Sequence, residues 1–344
     1  MRFAHLFIPD GRLQTAVACR KRKLITERHC MESVTCDQCG GRGQRPYLTM
    51  EDHFFHLPGT FSVVKCTSCG LLYTNPRPTG DELRGLYATY YDGNGLQRSS
   101  TGFAAFIRQH PGILSLWHTL CGQYSSAAIR KLRGNVLDIG CGTGDLLDQI
   151  RTKGCRTFGV EPNEFSAEIC RRKGFEVYTG SFEDIPFPQN FFDAVVLWHS
   201  IEHLSSPRNA LAKIKRILKP GGHVLIWCPN ADSSPAALFR QFWRGWHLPF
   251  HFYHFTPKTI TALAETAGFR VEKLRAVTPE FIFAHSLQAW MKHQKGSVSQ
   301  STGVIRLFRT FVARAMIALV FRIHDHALTG KGEFLQVELV PVTE

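Results

Sequence analysis

Acidic residues are scarce in this chain: 28 aspartates and glutamates stand against 41 lysines and arginines, a net charge of +13. That balance suits a nucleic-acid partner or an anionic membrane surface, and equally a basic cytosolic enzyme, so charge excludes none of them. Long apolar runs are missing too. No stretch approaches the ~20 uninterrupted apolar residues of a membrane-spanning helix, and a 44% hydrophobic content is ordinary for a globular protein. Residues 1–30 carry a basic cluster from Arg20 to Lys23 but no apolar core leading to a small-residue cleavage site. That pattern is not a secretory signal, and a disordered tail is expected. Eleven cysteines, an odd count without secretory signals, point to a reducing compartment and to metal rather than disulfides. A cytoplasmic location is expected, extending at most to the inner surface of a membrane. At 344 residues the chain has room for one large domain and a smaller one.

The segment Asn135–Asp145 reads N-V-L-D-I-G-C-G-T-G-D. Its apolar run Val136–Ile139 predicts a buried parallel strand, and Leu146, Leu147 and Ile150 then recur at helical spacing. Between them Gly140, Gly142 and Gly144 allow a tight turn and close approach to a ligand. The helix start beyond adds unpaired N–H groups. A second strand, Thr157–Val160, ends in Glu161, placed to grip the two hydroxyls of a ribose. The third glycine of a dinucleotide fingerprint would fall near Asp145–Leu147 and is missing. That argues against a pyrophosphate on the helix and favours a nucleoside with a phosphate-free tail, such as S-adenosylmethionine.

Two knuckles, Cys36-Asp-Gln-Cys39-Gly40 and Cys66-Thr-Ser-Cys69-Gly70, are separated by 26 residues. Each turns two thiolates toward one point, and four thiolates satisfy tetrahedral zinc with no open position. Residues 31–78 therefore read as a zinc ribbon with a structural, non-catalytic ion. Two prolines in Asn75-Pro-Arg-Pro78 force an extended exit. A short helix over Asp81–Tyr91 follows, within a helical cap or linker at 79–132.

Five stretches resemble, in order and spacing, the successive motifs of class I S-adenosylmethionine-dependent methyltransferases: D-I-G-C-G-T-G, G-V-E-P, G-S-F-E-D-I-P-F, F-F-D-A-V-V-L-W-H-S-I-E-H-L and R-I-L-K-P-G-G-H-V-L-I. The match in order and spacing covers roughly Asn135 to Phe269. The resemblance implies a doubly wound, mostly parallel seven-stranded sheet over 133–344, in the order 3-2-1-4-5-7-6 with strand seven antiparallel. It implies that Asp138 steadies the glycine turn and the cofactor's amino-acid end, that Glu161 holds the ribose, and that Glu183 or Asp184 accepts the adenine amino protons. The ribbon, the N-P-R-P segment and the tyrosine-rich helix resemble the N-terminal part of bacterial zinc-ribbon methyltransferases. In those the helix caps the cofactor site, which brings Tyr87, Tyr90 and Tyr91 toward substrate.

His199-Ser-Ile-Glu202-His203 resembles the E-x-x-E-H segment of ubiquinone-pathway O-methyltransferases, where two glutamates and a histidine are implicated with a divalent metal. Glu202 and His203 match it, and His199 replaces the first glutamate. A His/Glu/His set suits a transition metal better than magnesium; the favoured role for His203 is that of a general base or an orienting group. Trp243–Phe255 is dense in rings, and its H-F-Y-H-F-T stretch resembles a recurring segment of zinc-ribbon methyltransferases, with His251 and His254 at the polar positions; at least one of the two is expected in the active site, beside His203. The helix basic on Lys213, Lys215, Arg216 and Lys219 reads as a solvated face. In a helical insertion at 280–328, residues 304–323 carry an apolar stripe that fits a membrane surface, a homodimer contact or a cover for the sheet. The acceptor is expected to be a small or lipid-like molecule methylated on oxygen, with nucleic acid less favoured. The alternatives are an rRNA base methyltransferase and a non-catalytic zinc-ribbon binding protein with a vestigial cofactor fold.

Overall fold

The computed structural model describes residues 30–90, 129, 131–295, 320–321, 323–325, 327 and 330–342. The N-terminal module is built from β1 (Met31–Glu32), β2 (Gln44–Glu51), β3 (Thr60–Cys66), β4 (Leu72–Thr74) and β5 (Arg77–Pro78), followed by α1 (Gly80–Tyr90). Strands β2, β3 and β4 form an antiparallel meander, and β1 pairs with β5. The two cysteine knuckles lie at its turns, where Gly40 and Gly70 take left-handed φ and donate N–H to the carbonyls of Cys36 and Cys66.

The second unit alternates strand and helix: β6 (Asn135–Ile139), α2 (Asp145–Arg151), β7 (Arg156–Glu161), α3 (Glu164–Arg172), β8 (Glu176–Thr179), β9 (Phe192–Trp198), α4 (Pro207–Ile217) and β10 (Leu218–Pro229). Then come α5 (Ser234–Phe239), β11 (Tyr253–His254), α6 (Pro257–Thr266), β12 (Phe269–Val277), α7 (Glu280–Lys295) and β13 (Phe334–Pro341). Its helices begin where the side chains cap them. Asn163 accepts the Ser166 N–H, Ser206 precedes Pro207 and accepts the Asn209 N–H, and Thr256 forms a reciprocal box with Thr259.

The seven-stranded sheet runs β8-β7-β6-β9-β10-β13-β12, with β13 antiparallel to both neighbours. In order of appearance this is 3-2-1-4-5-7-6, the class I methyltransferase arrangement expected from the motifs. Strand β9 is covered on both faces, and Ala194 to Leu197 are fully buried, which explains their unbroken apolar run. Ile139 lies level with Val160 on one side and Leu197 on the other, so β6, β7 and β9 end together. Open α/β sheets bind ligands at such strand ends.

The ribbon and the sheet are stitched into one core. Strand β11, from the aromatic loop, adds to the ribbon meander by pairing Tyr253 with Tyr73 and His254 with Leu72. Cys36, Val64, Cys66, Leu71 and Tyr73 share a buried cluster with Leu137, Phe158, Phe252 and Phe255. Asp37, inside the first knuckle, accepts from Ser206 Oγ at 2.5 Å and Arg208 N at 2.9 Å, capping α4 across the boundary. The arginine of N-P-R-P explains that motif here: Arg77 donates to Ser205 O and Tyr253 Oη, pairs with Glu32, and lies 4.7 Å over the Phe252 ring. The tail at 1–29, Tyr91 and almost all of the 304–323 stripe fall outside the described residues. Among the described residues no helix is long and apolar enough to cross a membrane.

Candidate active site

From β6 the chain turns through Gly140, Gly142 and Gly144 at φ of +76°, +56° and +85°, all in the region that favours glycine. The N–H groups of Gly140 and Cys141 both donate to Val160 O, tying the turn to the tip of β7. Glu161 is fully buried at that tip. Its Oε2 accepts the Gly142 N–H at 2.8 Å and its Oε1 accepts the Asn163 N–H at 2.9 Å. The carboxylate and the glycine turn, singled out separately by motif, are thus in direct contact. Asp138 lies buried one residue before the end of β6.

Two further groups support this turn. A Cβ on Gly159 would stand 2.6 Å from Cys141 Sγ, so β7 needs glycine there for the turn to pack. Cys170 Sγ donates to Gly142 O at 3.1 Å from α3, 28 residues on. Asn163, besides capping α3, supplies the second donor to Glu161.

After β8 the loop at 181–187 is self-braced. Glu183 accepts from Ser181 Oγ and, at 2.8 Å, from Ser205 Oγ, while Asp184 is exposed. The basic face of α4 is not simply solvated. Lys213 Nζ donates to the carbonyls of Phe182 (2.6 Å), Glu183 (3.0 Å) and Ile185 (2.6 Å), and sits 4.7 Å over the Phe182 ring. An amphipathic pattern cannot distinguish an outward lysine from one folded onto the next loop.

Beyond β9 a short 3-10 turn, Ile201–His203, carries Glu202 and His203 into a cluster of rings. His203 Nδ1 lies 2.9 Å from Phe250 O and 2.9 Å from Tyr87 Oη, the latter from α1. A carbonyl only accepts, so Nδ1 carries the proton and Nε2 keeps its lone pair. His251 repeats the device, with Nδ1 at 2.8 Å from Gly245 O. The His203 and His251 rings meet edge to face at 4.6 Å, and Phe250 stands 5.3 Å from Tyr87 and 5.4 Å from Phe55 of the ribbon. Burial holds His203 and His247 well below the ordinary imidazole value and brings His251 to about 4, so all three are neutral at pH 7. His199 and His247 adopt φ of +51° and +40°, strain concentrated beside the pocket.

Of the predicted histidines, His203 and His251 come together. His254 does not join them: its Nε2 lies 3.1 Å from Thr74 Oγ1, and Thr74 also donates to His251 O at 2.7 Å, so His254 faces the ribbon junction. Of the predicted tyrosines, Tyr87 reaches His203. The four knuckle thiols bring their Sγ atoms within 4.8 Å of one another, with Cys36–Cys69 and Cys39–Cys66 at 3.5 Å. That spacing fits one tetrahedral ion and is far too long for disulfides. Burial pushes the Cys36 thiol well up, so gathering four thiolates there calls for a cation.

Residues 115–274 match the family model described as "Methyltransferase domain". Among curated proteins, the chain is 32% identical over 153 residues to a Mycolicibacterium smegmatis protein named "Probable S-adenosylmethionine-dependent methyltransferase" (43% of this chain, 57% of that one). It is 35% identical over 120 residues to the demethylmenaquinone methyltransferase of Symbiobacterium thermophilum (31% and 46%). The chain therefore spans about half the length of the curated relatives it matches. A solved S-adenosylmethionine-dependent methyltransferase of Archaeoglobus fulgidus overlaps 69% of this chain and 99% of its own at 22% identity, with a TM-score of 0.44 that adds no weight. The matched stretch, the strand order and the glycine turn closed by Glu161 together identify the fold as that of the class I S-adenosylmethionine-dependent methyltransferases.

Proposed function

We propose that this chain transfers the methyl group of S-adenosylmethionine to an oxygen of a small or lipid-like acceptor. The observation that carries the reading is the contact of Glu161 with the Gly142 turn, level with the strand end that leads into the His203 pocket. When bound, the cofactor supplies an electrophilic methyl group on a sulfonium. Everything else is done by the chain. The glycine turn lets backbone approach the cofactor's tail, and Glu161 keeps lone pairs for the ribose hydroxyls while fixing the turn. Glu183 and Asp184 flank the place for the adenine, in a loop held by Lys213.

On the acceptor side, His203 has its tautomer set by Phe250 O, so its Nε2 can take the proton of a hydroxyl as the methyl transfers. Tyr87, Phe250 and Phe55 exclude water and favour a planar or apolar acceptor. Most of the acceleration in such a displacement comes from alignment. The four knuckle cysteines hold a structural zinc ion that braces the ribbon against this pocket.

The experiment is a transfer assay with methyl-labelled cofactor on fractionated cell extract. Label in an organic-extractable small molecule supports the proposal. Label entering RNA, with affinity that falls steeply as salt rises, would replace it with the rRNA reading.

A further inference from the structure

One cluster remains unexplained by the cofactor and by the zinc knuckles. Glu202 is completely buried, and neither carboxylate oxygen accepts a hydrogen bond among the described residues. The nearest cationic candidate, His199 Nδ1, stands 3.6 Å from Oε1, too far for a hydrogen bond. A buried carboxylate left this way is strongly disfavoured unless a cation or a proton compensates it. Beside it, one ligand atom from each of Glu202, His203 and His251 lies within 4.8 Å of the others.

The two imidazoles are prepared in the manner of metal ligands. Each spends its Nδ1–H on a backbone carbonyl, His203 on Phe250 O and His251 on Gly245 O, which locks the ring and leaves the Nε2 lone pair. His247 Nδ1 approaches His251 Nε2 only to 3.4 Å, longer than an ordinary hydrogen bond. The backbone holds the three together: Phe252 N donates to Glu202 O at 2.8 Å, pinning the 3-10 turn to the aromatic loop.

We propose that Glu202, His203 and His251 form a second metal site, separate from the four-cysteine knuckles, that takes a divalent first-row transition ion. Two imidazoles and one carboxylate select such an ion over magnesium or calcium, which prefer oxygen-only shells. Three protein ligands leave at least one position open, unlike the closed thiolate site. The position taken by His199 in the sequence motif is supplied instead by His251, from a loop 48 residues beyond His203. An ion here would occupy the His203 Nε2 lone pair and so take over from His203 as base, polarising the acceptor's hydroxyl and lowering its pKa so that the proton leaves to water; that role rests on the methyl-transfer reading, whereas metal binding does not.

The test strips the full chain of metal and titrates it with Co2+ anaerobically, following the visible spectrum and the bound metal per chain. The first equivalent should show sulfur-to-cobalt charge transfer from the knuckles. A second should add ligand-field bands without further charge transfer. In Glu202→Gln and in His251→Gln the second equivalent should weaken by at least about 100-fold, the upper end of what outer-shell substitutions cost, while the charge-transfer band persists as proof of folding. Saturation of the wild type at one equivalent overturns the proposal. A second equivalent bound equally well by both variants overturns it too. Methyl transfer is not part of the readout, so failure of the proposed reaction leaves this outcome distinct.

Discussion

Replacing Glu161 with glutamine tests the centre of the cofactor site. The side chain has no exposed surface, and each of its oxygens accepts a backbone N–H, from Gly142 at 2.8 Å and Asn163 at 2.9 Å. Glutamine preserves the volume and one acceptor, but it sets an NH2 donor against one of those two donors. A hydrogen bond to a charged group contributes about 1.5–3 kcal/mol, and a buried donor left facing another donor loses at least that. Some of the loss falls on the fold, because Gly142 lies in the turn and Asn163 caps α3. The rest falls on the ribose, which exchanges a carboxylate for an amide with half the accepting capacity. A loss of 1.5–3 kcal/mol at the ligand corresponds to about a 10- to 150-fold rise in Kd. Calorimetry with S-adenosylhomocysteine measures it directly, with thermal melting of the ligand-free proteins reporting the share borne by the fold. A variant that melts like wild type and binds within about twofold of it, some 0.4 kcal/mol on the same scale, would refute the assignment.

Lys213→Met should weaken S-adenosylhomocysteine by about tenfold, one charge-assisted bond's worth, because three carbonyls of the 182–185 loop lose their common donor; unchanged affinity would return Lys213 to the solvent. Cys66→Ser should remove the thiolate-bound zinc, measured as metal content after gel filtration, and lower the melting temperature. If melting were unaltered by that loss, the knuckles would not be bracing the shared core. Glu333 supplies a pH test: burial, helped by Asp325 and opposed by the Trp243 N–H donated to it at 2.7 Å, raises its carboxyl from 4.5 to about 8. Between those values the native chain keeps a proton that the unfolded chain has released. Stability therefore falls with rising pH across that window, on the order of 1 kcal/mol per unit, and is level above it. Glu333→Gln keeps the acceptor for Trp243 and lacks that slope, so its melting advantage should widen from pH 5 to pH 8; a constant gap would show that Glu333 is ionised throughout.

Legibility in the sequence followed the distance over which a contact is made. The glycine turn, the strand before it and Glu161 fall within 27 residues, and spacing alone placed them together. The strand order was implied by the family resemblance; the residues themselves supplied only the succession of strands and helices. What stayed hidden was made by chain segments far apart. Gly159 opens the G-V-E-P stretch, but the reason for glycine there shows only when Cys141 packs against it. Lys213 belongs to a helix whose moment is right and whose lysine bends away from the solvent to the 181–187 loop. His254, like His251, lies between two aromatic residues in sequence, but the pairing of β11 with β4 turns it toward Thr74. Nothing local to either histidine encodes that difference.

The same pairing changes what the ribbon is for. A zinc module read along the chain ends at Pro78, and its metal has no position left for chemistry. In the folded chain its meander borrows β11 from the far side of the sheet, its knuckle caps α4 through Asp37, and its hairpin places Phe55 against Phe250 and His247. Helix α1, the next element out of the ribbon, brings Tyr87 to His203. The rings around His203 are thus assembled from distant stretches of the chain, and on the proposed reading a zinc ion in the knuckles would act on the reaction through position alone. Loss of the ion should therefore disturb acceptor binding more than cofactor binding. The proposed cofactor contacts, Gly142 to Glu161, lie wholly within the strand–helix unit, while Phe55 and Tyr87 are carried by the ribbon and its exit helix.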